Sequence, residues 1–298
     1  MRFIREADPF PQPPSAAASS RLSVHVAAKS DVGRHRQNNE DSVLVADLAR
    51  DALRTERSVS ELWELLPGRF VCAVLDGMGG EAGGEVASRL GTEALYLAMR
   101  ERPTLGVDVP HLAEALRASV QTASDRIARV AREQPEYARM GTTATVVSVA
   151  DDTLVVAQVG DSRGYLLRDG ALIPLTQDQT LSRMLVESGQ LTKEEAQRFD
   201  GGHIILQALG SSPKLDVAIT TAQLQRDDVV LLCSDGLTGP LDDNEIARIL
   251  RAAETPERAC EVLVSRANEE GGPDNVTCVV LRFGGSALSG QRATTKAG

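Results

Sequence analysis

Cysteine, histidine and aromatic residues are scarce in this chain, and each scarcity narrows what it can be. Four cysteines (Cys72, Cys233, Cys260 and Cys278) stand among 298 residues, with no CxxC pair. That spacing argues against a zinc site or a disulfide framework. It favours buried free thiols and a reducing compartment, the cytosol. The four histidines, His25, His35, His111 and His203, are dispersed, so no imidazole cluster competes for a metal. Aromatic residues make up only 3% of the chain, with Trp63 the single tryptophan. No apolar run approaches the roughly 18 residues that a membrane span requires. The opening stretch, MRFIREADPFPQPPSAAASS, has no apolar core and carries Pro9, Pro11, Pro13 and Pro14, so it does not read as a secretory signal. Positive charge is also short: 32 basic residues face 42 acidic ones, a formal net charge of −10. A general nucleic-acid binder needs the opposite balance, whereas a chain that gathers divalent cations suits this one.

What is present is enough apolar sequence for an ordinary core, 42% of residues, and a length that allows about 75% of the unfolded surface to be buried. Residues 1–20, rich in Pro, Ala and Ser, are expected to form a flexible lead, and 285–298 a loose tail. Between them, 21–284 reads as one domain. Strand patterns occur at Leu22–Lys29, Val43–Ala46, Phe70–Leu75, Gly141–Ala150, Thr153–Val159, Val229–Cys233 and Val276–Phe283. Helical spacing occurs at Val86–Arg100, His111–Arg132, Asn244–Ala252 and Pro256–Asn268, the last opened by Thr255 as N-cap with Pro256 behind it. Residues 47–68 lean towards helix. Strands arrive in hairpins, with helices grouped between them. This predicts an α+β fold of antiparallel sheets covered by helices, not a doubly wound one.

The chain is organised around RFVCAVLDGMGGEAGGE at 69–85, an apolar strand that stops at Asp76 among glycines. Val229–Cys233 repeats the arrangement, ending at Ser234-Asp235-Gly236. Asp161 (GDSR) and Asp274 (GGPDN) also stand in glycine-bearing loops at strand ends. Any one of these aspartates could be a turn or cap residue. Four in the same context predict a carboxylate cluster, which a fold keeps together only with cations or protons between its members. Oxygen ligands of this kind suit Mg²⁺ or Mn²⁺. Arg36, close to Glu40 and Asp41 in the loop SDVGRHRQNNEDS, could hold a phosphate oxygen in a two-pronged contact; on its own it would read as a solvated surface arginine.

SDVGRHRQNNEDS, VLDGMGG, MGTT, GDSRGYLLRDG, CSDGL and GGPDNVT follow one another in that order across about 22–283. Together they resemble the metal-dependent serine/threonine protein phosphatases of type 2C in their compact bacterial form. The resemblance implies a sandwich of two antiparallel β-sheets flanked by antiparallel helices on both sides. It implies that Asp76 bridges two catalytic Mg²⁺ or Mn²⁺ ions, that the Gly77 carbonyl reaches one of them, and that Asp235 and Asp274 bind the other. Glu40 and Asp41 would form an outer shell around metal-held water, Arg36 would bind the substrate phosphate, and Asp161 would serve a weaker third ion. The implied reaction is hydrolysis of phosphoserine and phosphothreonine in proteins by direct attack of a hydroxide held between the two ions, with no phosphoenzyme. Phosphorylated proteins are the implied partners, among them a cognate serine/threonine kinase and its substrates, for a monomeric cytoplasmic enzyme with no membrane or nucleic-acid partner. The alternative is a catalytically silent relative that binds or regulates a phosphoprotein. Such a relative should have lost Asp76, Asp235 or Asp274, and all three are present. Three departures stand out. Met78 replaces a histidine found in many eukaryotic relatives, Gln179 replaces the histidine of a DHS-like segment, and Gly239 stands where an aspartate often serves the third ion. The third site is therefore expected to be weak or empty unless Asp242 or Asp243 reaches in.

Overall fold

Alternating apolar residues build two antiparallel sheets. The computed structural model describes residues 22–79, 83–104, 106–196, 198–199, 201–202, 204–211 and 214–288. In chain order, β1 (Leu22–Asp31), β2 (Asp41–Asp47), β3 (Ala52–Arg54), β4 (Ser58–Leu65) and β5 (Phe70–Met78) lead into two long helices, α1 (Gly83–Glu101) and α2 (Val109–Glu133). Next come β6 (Gly141–Thr142), β7 (Ala144–Ala150), β8 (Thr153–Val159), β9 (Arg163–Arg168) and β10 (Ala171–Pro174), then the short helices α3 (Leu181–Glu187) and α4 (Lys193–Ala196). The chain closes through β11 (Ala218–Gln223), β12 (Val229–Cys233), α5 (Asp235–Thr238), α6 (Asp243–Ala252), α7 (Pro256–Glu269) and β13 (Val276–Gly285).

One sheet has the strand order β10-β9-β12-β13-β1-β4. The other has the order β11-β8-β7-β5-β2-β3, with β6 beside β5. Their inner faces meet through Val24, Val26, Val45, Cys72, Val74, Val147, Val279 and Leu281, all buried. On one outer face α1 and α2 lay Leu95, Met99, Leu116 and Ile127 against Val71, Ala73 and Val146. On the other, α6 and α7 lay Ile246, Leu250 and Leu263 against Leu231 and Val280. The layers are thus helix, sheet, sheet, helix, as expected for the α+β sandwich. Caps set the helix starts. Asp108 accepts from the His111 N–H (3.0 Å), and Thr255 accepts from the Arg258 N–H with Pro256 in the first turn.

Residues 47–68 are not helical. They form β3 and β4, and β4 is the outer strand beside β1. Val59, Trp63 and Leu65 point inward from β4 while Ser58, Ser60, Leu62 and Glu64 face solvent, a period-two pattern. Trp63 fixes the strand: its ring meets Phe70 edge-on at 6.3 Å and 76°, a geometry that adds about 1 kcal/mol to simple burial. At the C-terminal end, packed structure continues past 284 to Leu288, which is buried between the sheets. The expected lead at 1–20, and the expected tail beyond Leu288, lie outside the described residues. All four cysteines are free and buried.

Candidate metal centre

Antiparallel pairing brings the ends of β1, β5, β8 and β12 and the starts of β2 and β13 to one end of the sandwich. Register then does the fine placement. Asp41 pairs directly with Asp76 across β2 and β5, so the two carboxylates stand side by side on the face turned towards the other sheet. Asp235 leaves β12 as the first residue of α5, and Asp274 precedes β13. A methyl group on Gly236 would overlap the Asn275 carbonyl oxygen, and one on Gly77 would overlap backbone oxygens of Gly84 and Glu40. Only glycine lets these backbones approach so closely.

The main chain of Asp76 is gripped from the MGTT segment. Its N–H donates to Thr143 Oγ1 (2.9 Å), while its carbonyl accepts from the Thr143 N–H (2.8 Å) and from Thr142 Oγ1 (2.9 Å). Asn275 uses its whole amide to bind the 32–40 loop. Its Oδ1 accepts from the Glu40 N–H (2.8 Å), and its Nδ2 donates to the carbonyls of Val32 and Asn38 (2.9 Å each). Ser234 Oγ donates to Asp41 Oδ2 (2.8 Å) and accepts from the Thr277 N–H (3.0 Å). Sequence reading did not single out Thr142, Thr143, Ser234 or Asn275. The only signal they offered was position, inside or beside the recurring Asp–Gly segments.

The charges behave as one cluster. Burial, and after it the nearby Asp41, Asp235, Asp161 and Asp274, hold the Asp76 carboxyl well above the usual carboxylate range. Burial also pushes Asp41 up to about 7 against the hydrogen bonds from Thr277 and Ser234, with Asp235 and Asp274 adding to it. Asp161 is pushed up to about 7 by burial and by Asp235 and Asp178. Glu40 is raised by burial, an effect that Arg36 opposes and Asp274 and Glu85 reinforce. All of the sequence-predicted carboxylates therefore converge. Gly77 continues β5 one residue beyond Asp76, and its N–H donates to the Glu40 carbonyl (3.2 Å).

Among the described residues three buried side-chain oxygens have no hydrogen-bond partner, and two of them, Asp41 Oδ1 and Asp161 Oδ1, belong to this cluster; the third is Asn268 Oδ1. Among the described residues no three His, Cys, Asp or Glu side chains are already gathered into a metal-holding group. Like charges repel, and Asp274 turns Oδ2 to Arg36 Nη2 (2.7 Å) while its Oδ1 accepts from the Asn275 N–H (2.8 Å). The carboxylates thus ring a region, not a point. Mg²⁺ and Mn²⁺ fit such a ring, because they keep several waters and take few protein oxygens directly. Bare buried oxygens and raised carboxyl pKa values mark where positive charge lowers the energy. Three acids that could have joined Asp161 in holding a further ion are already engaged. Asp178 is held by both Arg163 Nε (2.8 Å) and Nη2 (2.6 Å), Asp242 caps α6 by accepting from the Glu245 N–H (2.8 Å), and Asp243 accepts from the Tyr165 hydroxyl (3.1 Å).

A family model described as protein phosphatase 2C matches residues 46–272. The serine/threonine phosphatase stp of Listeria monocytogenes is 32% identical over 258 residues, spanning 87% of this chain and 95% of that protein. The serine/threonine protein phosphatase PstP of Mycobacterium tuberculosis is 38% identical over 259 residues, of which this chain spans only 45% of the length. Among solved structures, the catalytic domain of PstP in complex with two manganese ions has a TM-score of 0.71 at 36% identity, covering 88% of this chain and 99% of that one. The serine/threonine phosphatase of S. agalactiae has a TM-score of 0.76 at 27% identity, covering 87% of this chain and 98% of that one.

Proposed function

The chain belongs to the protein phosphatase 2C family, and from that membership we propose how its own residues divide the work of a metal-dependent protein-serine/threonine phosphatase. The observation that carries the assignment of roles is the convergence of Asp41, Asp76, Asp161, Asp235 and Asp274 from both sheets onto one part-buried, mutually repelling cluster. Asp76 lies at its middle and is the candidate bridge between two Mg²⁺ or Mn²⁺ ions, with the Gly77 carbonyl beside it. Asp235 and Asp274 complete the set of direct ligands. Glu40 and Asp41 orient the hydration shell around them. When bound, the two ions supply an acidified water as nucleophile and positive charge for the phosphoryl oxygens.

Arg36 binds the substrate phosphate in this reading. Its guanidinium is half exposed and already lies against Asp274, so an incoming phosphate meets a charged fork held at the rim of the cluster. Met78 has no proton to give, and protonation of the departing serine or threonine oxygen falls to water. No nucleophilic side chain is required, and the buried cysteines, with the thiols of Cys72 and Cys233 pushed up by burial, are unsuited to such a role. Asp161 could serve only a weak third ion, because Asp178, Asp242 and Asp243 are committed elsewhere.

The same reading extends to a monomeric intracellular enzyme that opposes a serine/threonine protein kinase. Four free buried cysteines suit a reducing compartment. The test compares hydrolysis of a phosphothreonine peptide with Mn²⁺ and with EDTA, for the wild type and for Asp76→Asn. Activity should need the ion and fall by about a thousandfold or more in the variant, since a ligand shared by both ions is lost. Equal rates in EDTA would reject the reading.

A further inference from the structure

Gln179 lies between β10 and α3, at the position where the sequence departs from the family's histidine, and it spends every hydrogen-bonding group it has. Its N–H donates to the Gly160 carbonyl (3.0 Å), and its Oε1 accepts from the Gly160 N–H (2.8 Å). On the other side, its Nε2 donates to the Asp216 carbonyl (3.2 Å), and its own carbonyl accepts from the Leu206 N–H (2.8 Å). Gly160 sits at φ +98° against Thr143, a backbone state that L side chains rarely adopt, and the next residue is Asp161. Ser162 Oγ then lies 2.7 Å from Thr143 Oγ1, the atom that accepts from the Asp76 N–H. One continuous set of hydrogen bonds therefore runs from the backbone at Leu206 and Asp216, through Gln179 and the 160–162 turn, to the main chain of Asp76.

We propose that Gln179 is a positioning residue for the phosphatase reaction: it clamps the 160–162 turn, so that the bare oxygen of Asp161 is held in the carboxylate cluster beside Asp235, and fastens that turn to the segment containing Leu206 and Asp216. The inference rests on the reading of the metal centre given above and adds a residue to it. A carboxamide meets the geometry because its planar end presents one acceptor and one donor, and the site offers one N–H and one carbonyl. A neutral imidazole also presents one of each. A methionine of similar length presents neither, leaving the Gly160 N–H and the Asp216 carbonyl without their partner.

Gln179→Met and Gln179→His in the full chain test this with three measurements: backbone hydrogen exchange, Mn²⁺ affinity by calorimetry, and steady-state kinetics on a phosphothreonine peptide. In Gln179→Met the Gly160 amide, which loses its side-chain acceptor, should exchange about tenfold faster, while the Leu206 amide, bonded to the main-chain carbonyl of residue 179, and β7 and β8 keep their protection. Because the set of bonds ends on the main chain of Asp76, Mn²⁺ affinity at the two tight sites and kcat should each fall about tenfold, the size usual for partners that orient metal ligands, with KM changed by less than about twofold. Gln179→His should recover all of these to within about threefold. Three results would overturn the proposal: exchange in Gln179→Met that matches wild type, faster exchange with Mn²⁺ affinity and kcat unchanged, or loss of protection spread across β7 and β8. Wild type that binds Mn²⁺ without hydrolysing the peptide would instead defeat the phosphatase reading, and the exchange and Mn²⁺ measurements would still decide on Gln179.

Discussion

Stripping the divalent cations should leave a protein that is more stable in mild acid than at neutral pH, the reverse of the usual behaviour of carboxylates. Asp41 and Asp161 are both pushed up to about 7 by burial, against about 3.9 in an unfolded chain. Between those values the folded state holds protons that the unfolded state has already released. Stability is therefore present in full below about pH 4 and is lost as pH rises towards 7. A rise of three units corresponds to about 4 kcal/mol for one group. The two costs do not add, because each proton that binds relieves the neighbouring carboxylates around Asp76. A total of about 4 kcal/mol is thus expected between about pH 4 and pH 7.5, a large share of the 5–15 kcal/mol typical of a domain. In a chain of this size that lowers Tm by about 8 °C. The assay is thermal unfolding in EDTA across that range, repeated with Mn²⁺ and with Asp76→Asn. Mn²⁺ should restore stability near neutrality by binding the ionised cluster. Asp76→Asn should be more stable than wild type in EDTA at neutral pH and should have a flatter profile. A metal-free wild type whose Tm is flat, or climbs with pH, would refute the electrostatic account of this centre.

Arg36→Ala should raise KM for a phosphothreonine peptide by about tenfold or more, the scale of a lost charge-assisted bond, and Arg36→Lys should recover only part of it; unchanged KM would remove Arg36 from the phosphate contact. Calorimetric titration of Mn²⁺ into the metal-free protein should show two tight equivalents and no third, since Asp178, Asp242 and Asp243 are engaged with Arg163, the α6 N-terminus and Tyr165; three tight equivalents would contradict this. Gly236→Ala should cost about 3 kcal/mol in urea unfolding, because the added methyl collides with the Asn275 carbonyl and separates Asp235 from Asp274. An unshifted midpoint would mean that the two strand ends are not packed as described. Thr143→Val should cost about 1–3 kcal/mol by depriving the buried Asp76 N–H of its acceptor, read from the same unfolding experiment.

The aspartate cluster was legible because its members stand at or beside the ends of strands. A buried apolar run that stops at Asp–Gly, as at Phe70–Gly77 and Val229–Gly236, carries its own local signature, and two such runs in one chain call for a shared explanation. β4 was not legible for the opposite reason. SVSELWEL has the right alternation, but its Glu and Leu content also suits a helix, and pairing along β1 decides the matter. The holding residues were harder still. Ser234 reaches Asp41 across 193 positions of chain, and Asn275 reaches Glu40 across 235; a lone polar residue in a loop has no period that could announce such a contact. Yet these contacts explain how a fold tolerates the cluster at all. Asp76 is gripped by its main chain, Asp41 through Oδ2 only, and Asp274 through Oδ1 on the Asn275 N–H. Arg36 also takes Asp274 Oδ2, but Asp41 Oδ1 is left bare, and Asp161 keeps a bare Oδ1 of its own. Each bare oxygen has a cost, because a buried acceptor without a partner loses about 1–3 kcal/mol. Fixing the backbones tightly while withholding the last partners leaves the inward oxygens available to cations, and it places the destabilising feature and the chemistry on the same atoms.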